Sequence, residues 1–346
     1  MNDLHESGGP YLRGKNFTSG GFVWVLAQIY LPLCGSILIG ILIGILLGLP
    51  QVQHLSNRPL QHQVPAYLGK FLFWIGVPGS LIHFLRQVDL SGRVLISPLM
   101  AWVAFAASLF LAWCCLQLLF RTWTATTRGT FLISTMVGNT GYIGYPVVLL
   151  LPQLGTPYFG WAIFYDLLGT LFAAYGLGVI IGAHYSRSNA LTKSISPWQQ
   201  SLVAFFKAPT LPAFLMGLAL RPVPLPNWLD SGLQGFAWSM VTLSLILMGI
   251  RLQQLRSWGQ ILPAIASTII RMAIAPLLVG LLLTVFGITG APRLVIVLQA
   301  GMPSAFATLV LAETFNLDRE LSVTCIGVSS VMLLLTLPLW LWSFPV

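Results

Sequence analysis

Long apolar runs alternate with short polar connections along the whole of this 346-residue chain. The hydrocarbon core of a bilayer is about 30 Å thick and needs roughly 20 helical residues to cross. Ten runs meet or approach that length: 22–49, 66–85, 98–120, 130–151, 158–182, 202–220, 233–250, 261–286, 294–315 and 321–342. The pattern predicts an all-α polytopic membrane protein with ten transmembrane helices. The sixth run is interrupted early by Lys207, Pro209 and Pro212, so its first part is expected to lie along the membrane surface.

The punctuation between runs suggests an organisation. Residues 1–21 form a polar tail, and the first run is too long for a signal-peptide core, so it reads as a retained helix. The longest polar connection, 183–200, falls after the fifth run and divides the chain into five-helix parts, 22–182 and 201–346. The third run starts at 98 and the eighth at 261; the fifth starts at 158 and the tenth at 321, each pair 163 positions apart. An odd number of helices per half turns the second half upside down, the inverted repeat of many secondary transporters. Loop Lys and Arg residues set the orientation. Arg13, Lys15, Arg86, Arg93, Arg221 and Arg293 fall on one side; Arg58, Arg121, Arg128, Arg187, Lys193, Arg251, Arg256 and Arg319 fall on the other. The balance places both termini outside a plasma (inner) membrane and the central loop in the cytoplasm.

Composition agrees with a lipid-embedded chain. Hydrophobic residues make up 56% and charged residues 7%, against about 25% charged in a soluble domain. The net charge of +9 comes from Lys and Arg scattered singly, with no basic face for nucleic acid. The four cysteines lie in apolar runs without metal-ligand spacing, so no metal and no cofactor are expected.

Two runs contain their own breaks. "MVGNTGYIGYP", residues 136–146, puts three glycines, an Asn, a Thr and a Pro into the fourth run; "LQAGMPSAFATLVLAETF", residues 298–315, breaks the ninth around Pro303. Irregular backbone at membrane depth survives where it is buried in protein or lines a wet cavity. Interruptions at matching places in two halves point to a transporter site. Pro146 and Pro303 each suit the first turn of a resumed helix, whose free N–H groups and positive dipole end favour an anion. With inverted topology the two starts are expected to face each other near the midplane. Asn139, Thr140, Gly141, Gln299, Met302 and Ser304 complete the candidate substrate site. The plainer alternative is that these prolines and glycines only kink their helices.

"GNTGYIGYPVV", "MPSAFATLVLAETFNLD", "SSVMLLLTLPLW" and "SLILMGIRL" resemble the auxin efflux carrier family, which includes bacterial malate-permease-like members and is similar in fold to bile acid and sodium–proton carriers. The resemblance covers all but the first 21 residues. It implies two inverted five-helix repeats, a scaffold of helices one, two, six and seven, and a core in which broken helices four and nine cross. The crossover prolines correspond to Pro146 and Pro303, and the first crossover asparagine to Asn139. At the second crossover Met302 stands before the proline in place of an asparagine, which resembles the bacterial branch. The long cytosolic loop of many plant members is missing. The resemblance also implies a homodimer through the scaffold helices.

Two charges lie deep in apolar runs. Asp166 stands eight residues into the fifth run, roughly 12 Å along a helix, and Arg271 ten residues into the eighth. Intramembrane charges mark functional sites by default. Three roles are open: Asp166 as a proton carrier, Arg271 as an attractor of substrate carboxylate, or the two as a structural pair. His83, near the end of the second run, is of a type that titrates near neutral pH; the plainer reading is a helix-end residue facing lipid headgroups. No motif of a metalloprotease, serine hydrolase or paired intramembrane aspartates occurs, so no enzyme activity and no catalytic residue are expected. The expectation is a secondary carrier of a small organic anion, such as malate or an auxin-like acid, with coupling to H+ or Na+ left open. A sodium–proton antiporter or a bile-acid-type sodium symporter of related fold is the alternative.

Overall fold

The computed structural model describes residues 19–50, 60–88, 92–186, 209–255 and 259–346. The polar tail to residue 18, the connecting loop from residue 187 and the start of the sixth predicted run, 202–208, lie outside the described residues. So do Arg13, Lys15, Arg58, Arg187, Lys193, Lys207 and Arg256.

The described chain is helical. It forms α1 (Ser19–Leu47), α2 (Leu60–Gln87), α3 (Arg93–Leu118), α4 (Ala125–Met136), α5 (Thr140–Leu150) and α6 (Gly155–Tyr185). After the loop come α7 (Thr210–Ala219), α8 (Asn227–Gln253), α9 (Ile261–Val285), α10 (Ala291–Ala300), α11 (Phe306–Thr314) and α12 (Arg319–Ser343). Seven of these, α1, α2, α3, α6, α8, α9 and α12, are long and apolar enough to cross a membrane. The chain is a multi-pass membrane protein. The fourth and ninth predicted runs do not appear as single helices: each is divided, into α4 and α5 and into α10 and α11.

Several helices turn wide, and proline explains most of it. A π turn stands two residues ahead of Pro78 (Leu72–Gly76), of Pro146 (Thr140–Gly144) and of Pro276 (Ile270–Ile274). Proline has no N–H, and its ring strikes the carbonyl four residues back. A widened turn carries that carbonyl clear while the helix continues.

The helices sort into two packed groups. In the first, α8 lies along α1 and α2, and α7 packs on α2. Gly40 of α1 and Gly249 of α8 meet backbone to backbone; a Cβ on either would press against the other's Cα at 2.9 Å. Small residues at such crossings are how helices associate without a hydrophobic drive between them. In the second group α9 contacts α10 and α12, α6 contacts α5 and α10, and α4 packs on α3, α6 and α12. Helix α5 reaches across to α1 and α8 and forms much of the seam between the groups. His83 of α2 is buried, 1% exposed, with its ring 5.3 Å from that of Phe84. The headgroup-facing position expected for it is corrected: its neighbours along α2, Ser80, Leu81, Phe84 and Leu85, are buried with it.

Candidate functional site

The two divided helices solve their backbone problem together. Between α4 and α5 residues 137–139 are non-helical, and between α10 and α11 residues 301–305 are. Gly138 and Ser304 form an antiparallel bridge. Asn139 N donates to Pro303 O at 2.8 Å, and Ala305 N donates to Val137 O at 3.1 Å. Each gap supplies the partners that the other lacks, so amides that leave the helix at depth do not go unpaired. Ser304 N donates to Ser329 Oγ at 3.0 Å, and Ser304 Oγ donates to Ser134 O at 2.8 Å. Helices α12 and α4 therefore brace the second gap.

The prolines divide the work unequally. Pro146 stands in the first turn of the α-helical part of α5, after the π turn. Pro303 stands inside the gap, three residues before α11 begins at Phe306. The expectation that it opens the resumed helix is corrected: it stands outside the helix, and its carbonyl is the acceptor for Asn139 N.

Asn139 caps α5, its Oδ1 accepting from Tyr142 N at 3.2 Å, a standard way to satisfy a first-turn amide. Its Nδ2 points to Met248 Sδ on α8 at 3.6 Å. Thr140 Oγ1 donates to Asp166 Oδ1, and Tyr145 OH donates to Asp166 Oδ2 at 2.9 Å. Two hydroxyls of α5 thus engage both carboxyl oxygens of α6. Gln299 is fully buried against Gly144, and neither its Oε1 nor its Nε2 has a hydrogen-bond partner.

Arg271 is 2% exposed and aims at the gaps from the α9 side. Its Nε donates to Met302 O at 2.8 Å; its Nη1 donates to Thr135 O at 3.2 Å and to Met136 O. These carbonyls belong to the last turn of α4 and to the residue two beyond α10, the negative ends of two helices. A Cβ on Gly138 would collide with the guanidinium, so only glycine lets the chain pass this close. The described ion pairs join Arg86 to Asp230 and Arg319 to Glu313; Asp166 and Arg271 are not joined. What meets where the gaps pair is therefore a guanidinium between two helix C-termini. Of the two resumed helices, α5 is capped by Asn139, while α11 begins without a side-chain cap.

On the α8 side the seam holds a small cavity of about 30 Å³. Leu81 and Phe84 of α2, Gly141, Tyr142, Tyr145 and Pro146 of α5, Phe159 of α6, and Val241 and Ser244 of α8 are among its walls. Of the predicted site residues it gathers Gly141 and Pro146. Asn139, Thr140, Met302, Pro303 and Ser304 lie at the paired gaps, and Gln299 packs against Gly144. Ser244 Oγ lies 3.3 Å from Tyr142 O, the carbonyl that Pro146 leaves without its helical donor, and 2.7 Å from Val241 O.

Sequence reasoning passed over Arg251. Counted as a loop charge, it stands inside α8, half-buried, with its guanidinium carbon 5.3 Å from the centre of the Phe306 ring. The available signal was its position: one turn after Met248, at the end of an unbroken apolar run.

A family described as "Membrane transport protein" matches residues 55–341. The chain is 25% identical over 288 residues to an uncharacterized transporter of Methanocaldococcus jannaschii, covering 82% of this chain and 91% of that protein. It is 28% identical over 280 residues to an uncharacterized transporter of Methanothermobacter thermautotrophicus, covering 79% of this chain and 87% of that one.

Proposed function

The chain belongs to the membrane transport protein family, the auxin efflux carrier family that its motifs resemble, and on that premise we propose that it is a secondary carrier of an organic anion. The ligand is a carboxylate, such as malate or an auxin-like acid. Transport proceeds by alternating access: the group containing α4–α5 and α10–α11 moves against the group containing α1, α2, α7 and α8. In this reading α1–α6 and α7–α12 are two inverted five-helix repeats whose fourth members are the divided helices.

The observation that supports it most is the pairing of the two gaps, Gly138 with Ser304, beside a cavity walled by both helix groups. Broken helices at a repeat interface are where carriers place substrate and coupling ions. Charge favours an anion. Two guanidinium groups, Arg251 and Arg271, flank the crossing, and the carboxylate there, Asp166, already accepts from Thr140 and Tyr145.

The test is uptake by purified protein in proteoliposomes, using labelled malate and labelled indole-3-acetate with and without an imposed pH gradient. The expected result is saturable uptake of one acid, lost in Asn139→Ala. Absence of carboxylate flux together with proton movement driven by a sodium gradient would replace this reading with a sodium–proton antiporter.

A further inference from the structure

The crossing has an arginine on each side, and their hydrogen bonding differs. Arg271 is engaged by carbonyls. Arg86 pairs with Asp230 at 2.8 Å, Arg319 with Glu313 at 2.7 Å, and Arg221 donates to Val88 O at 2.5 Å. Arg251 has no ion pair and no hydrogen bond among the described residues. Its guanidinium lies over the face of Phe306, the first residue of α11. Its Nη2 rests on Gly69 of α2.

The surroundings fit an incoming anion. A guanidinium laid on an aromatic face keeps its edge N–H donors free, and that edge matches a carboxylate two-pronged. Helix α11 starts at the same point without a side-chain cap, so its positive end adds to the field. The position is at the seam: Arg251 is three residues, about one turn, past Met248, whose sulfur meets Asn139. Tyr142, which lines the cavity, is within electrostatic reach of Arg251. A half-buried charge with no partner among the described residues is costly to keep, and a ligand carboxylate removes that cost.

We propose that Arg251 recognises the carboxylate of the transported ligand, through paired hydrogen bonds at the seam between α8 and the start of α11. This rests on the carrier reading and names its specificity-determining residue.

The experiment compares wild type, Arg251→Gln and Arg251→Lys in proteoliposomes, with labelled malate and indole-3-acetate as probes. The melting temperature of each purified protein is measured with each acid and with its amide. Arg251→Gln is expected to raise the KM for the transported acid on the order of tenfold or more. It also loses the stabilisation that wild type gains from the acid and not from the amide. Arg251→Lys keeps the charge but not the two-pronged geometry, so its KM falls between the two while acid is still preferred to amide. Should Arg251→Gln fail to fold, Arg251→Lys decides: a wild-type KM overturns the proposal. Uptake by Arg251→Gln with an unchanged KM overturns it and leaves the carrier reading standing. A wild type that moves neither acid removes the carrier reading, and the proposal with it.

Discussion

Arg271 meets the paired gaps and Arg251 meets the start of α11 just beyond them, and their surroundings assign them opposite work. Arg271 is enclosed, and three backbone carbonyls from the ends of α4 and α10 consume its donors. Arg251 is half-buried and stacked on one ring, and it has no hydrogen bond or ion pair among the described residues. The difference teaches that depth alone does not identify a ligand-binding charge. A buried guanidinium whose hydrogen bonds are satisfied holds the fold, and a shallower one with unused donors is available to a ligand.

The comparison breaks most sharply at Arg271. Arg271→Ala leaves three buried acceptors without a donor, each costing about 1–3 kcal/mol. The expected outcome is little folded protein in detergent, or a melting temperature lower by roughly 10 °C or more. Fluorescence-detected size exclusion and a thermal ramp read both. Normal yield and melting would mean that Arg271 does not clamp the gaps. Gly138→Ala acts on the same contact from the other side, because its Cβ strikes the guanidinium. Overpacking of this kind costs about 1–3 kcal/mol. In Arg271→Ala/Gly138→Ala the second substitution is expected to cost less than it does alone, since the group it strikes is gone. Strict additivity of the two melting shifts would contradict the contact.

Asp166→Asn probes the polar strut between α5 and α6. One of its two hydroxyl donors then faces an amide N–H, a loss of about 1.5–3 kcal/mol for a hydrogen bond to a charged group. If Asp166 also carries the coupled proton, uptake by the folded variant no longer responds to an imposed pH gradient. An unchanged response assigns Asp166 to the strut alone. The smallest effect is expected at Ser244→Ala. Its hydroxyl has one proton to share between Val241 O and Tyr142 O, so its net worth is about 0.5–1.5 kcal/mol. A melting shift of a few degrees and near-normal uptake are the expected result; abolished uptake would promote Ser244 to a ligand-binding role.

Much of this architecture was legible in the residues. The apolar runs marked the long helices to within about six positions at either end, and the Gly-Asn-Thr-Gly and Met-Pro-Ser clusters marked where the fourth and ninth runs stop being helical. Those are local properties, decided by backbone preference and the absence of water. The depth of Asp166 and Arg271 was readable for the same reason. Their partners were not. That Asp166 meets Thr140 and Tyr145, and Arg271 the ends of two helices, depends on which distant segments come together. Arg251 was hidden by its place at the end of a run, where an arginine ordinarily reaches for headgroups; its neighbour Phe306 is 55 positions away. His83 was misjudged on the same ground. Ser329, unremarkable in an apolar helix, proves to be the acceptor for Ser304 N in the second gap.

The most direct test of a ligand path along the seam is labelling of a cysteine placed at Ser244. Cys34, Cys114, Cys115 and Cys325 are first replaced, and the protein is reconstituted in oriented proteoliposomes with a membrane-impermeant thiol reagent on one side. The account predicts that the transported acid slows labelling of Ser244→Cys in a saturable way and that its amide does not. Equal labelling with acid, with amide and with neither would contradict a ligand site between α5 and α8.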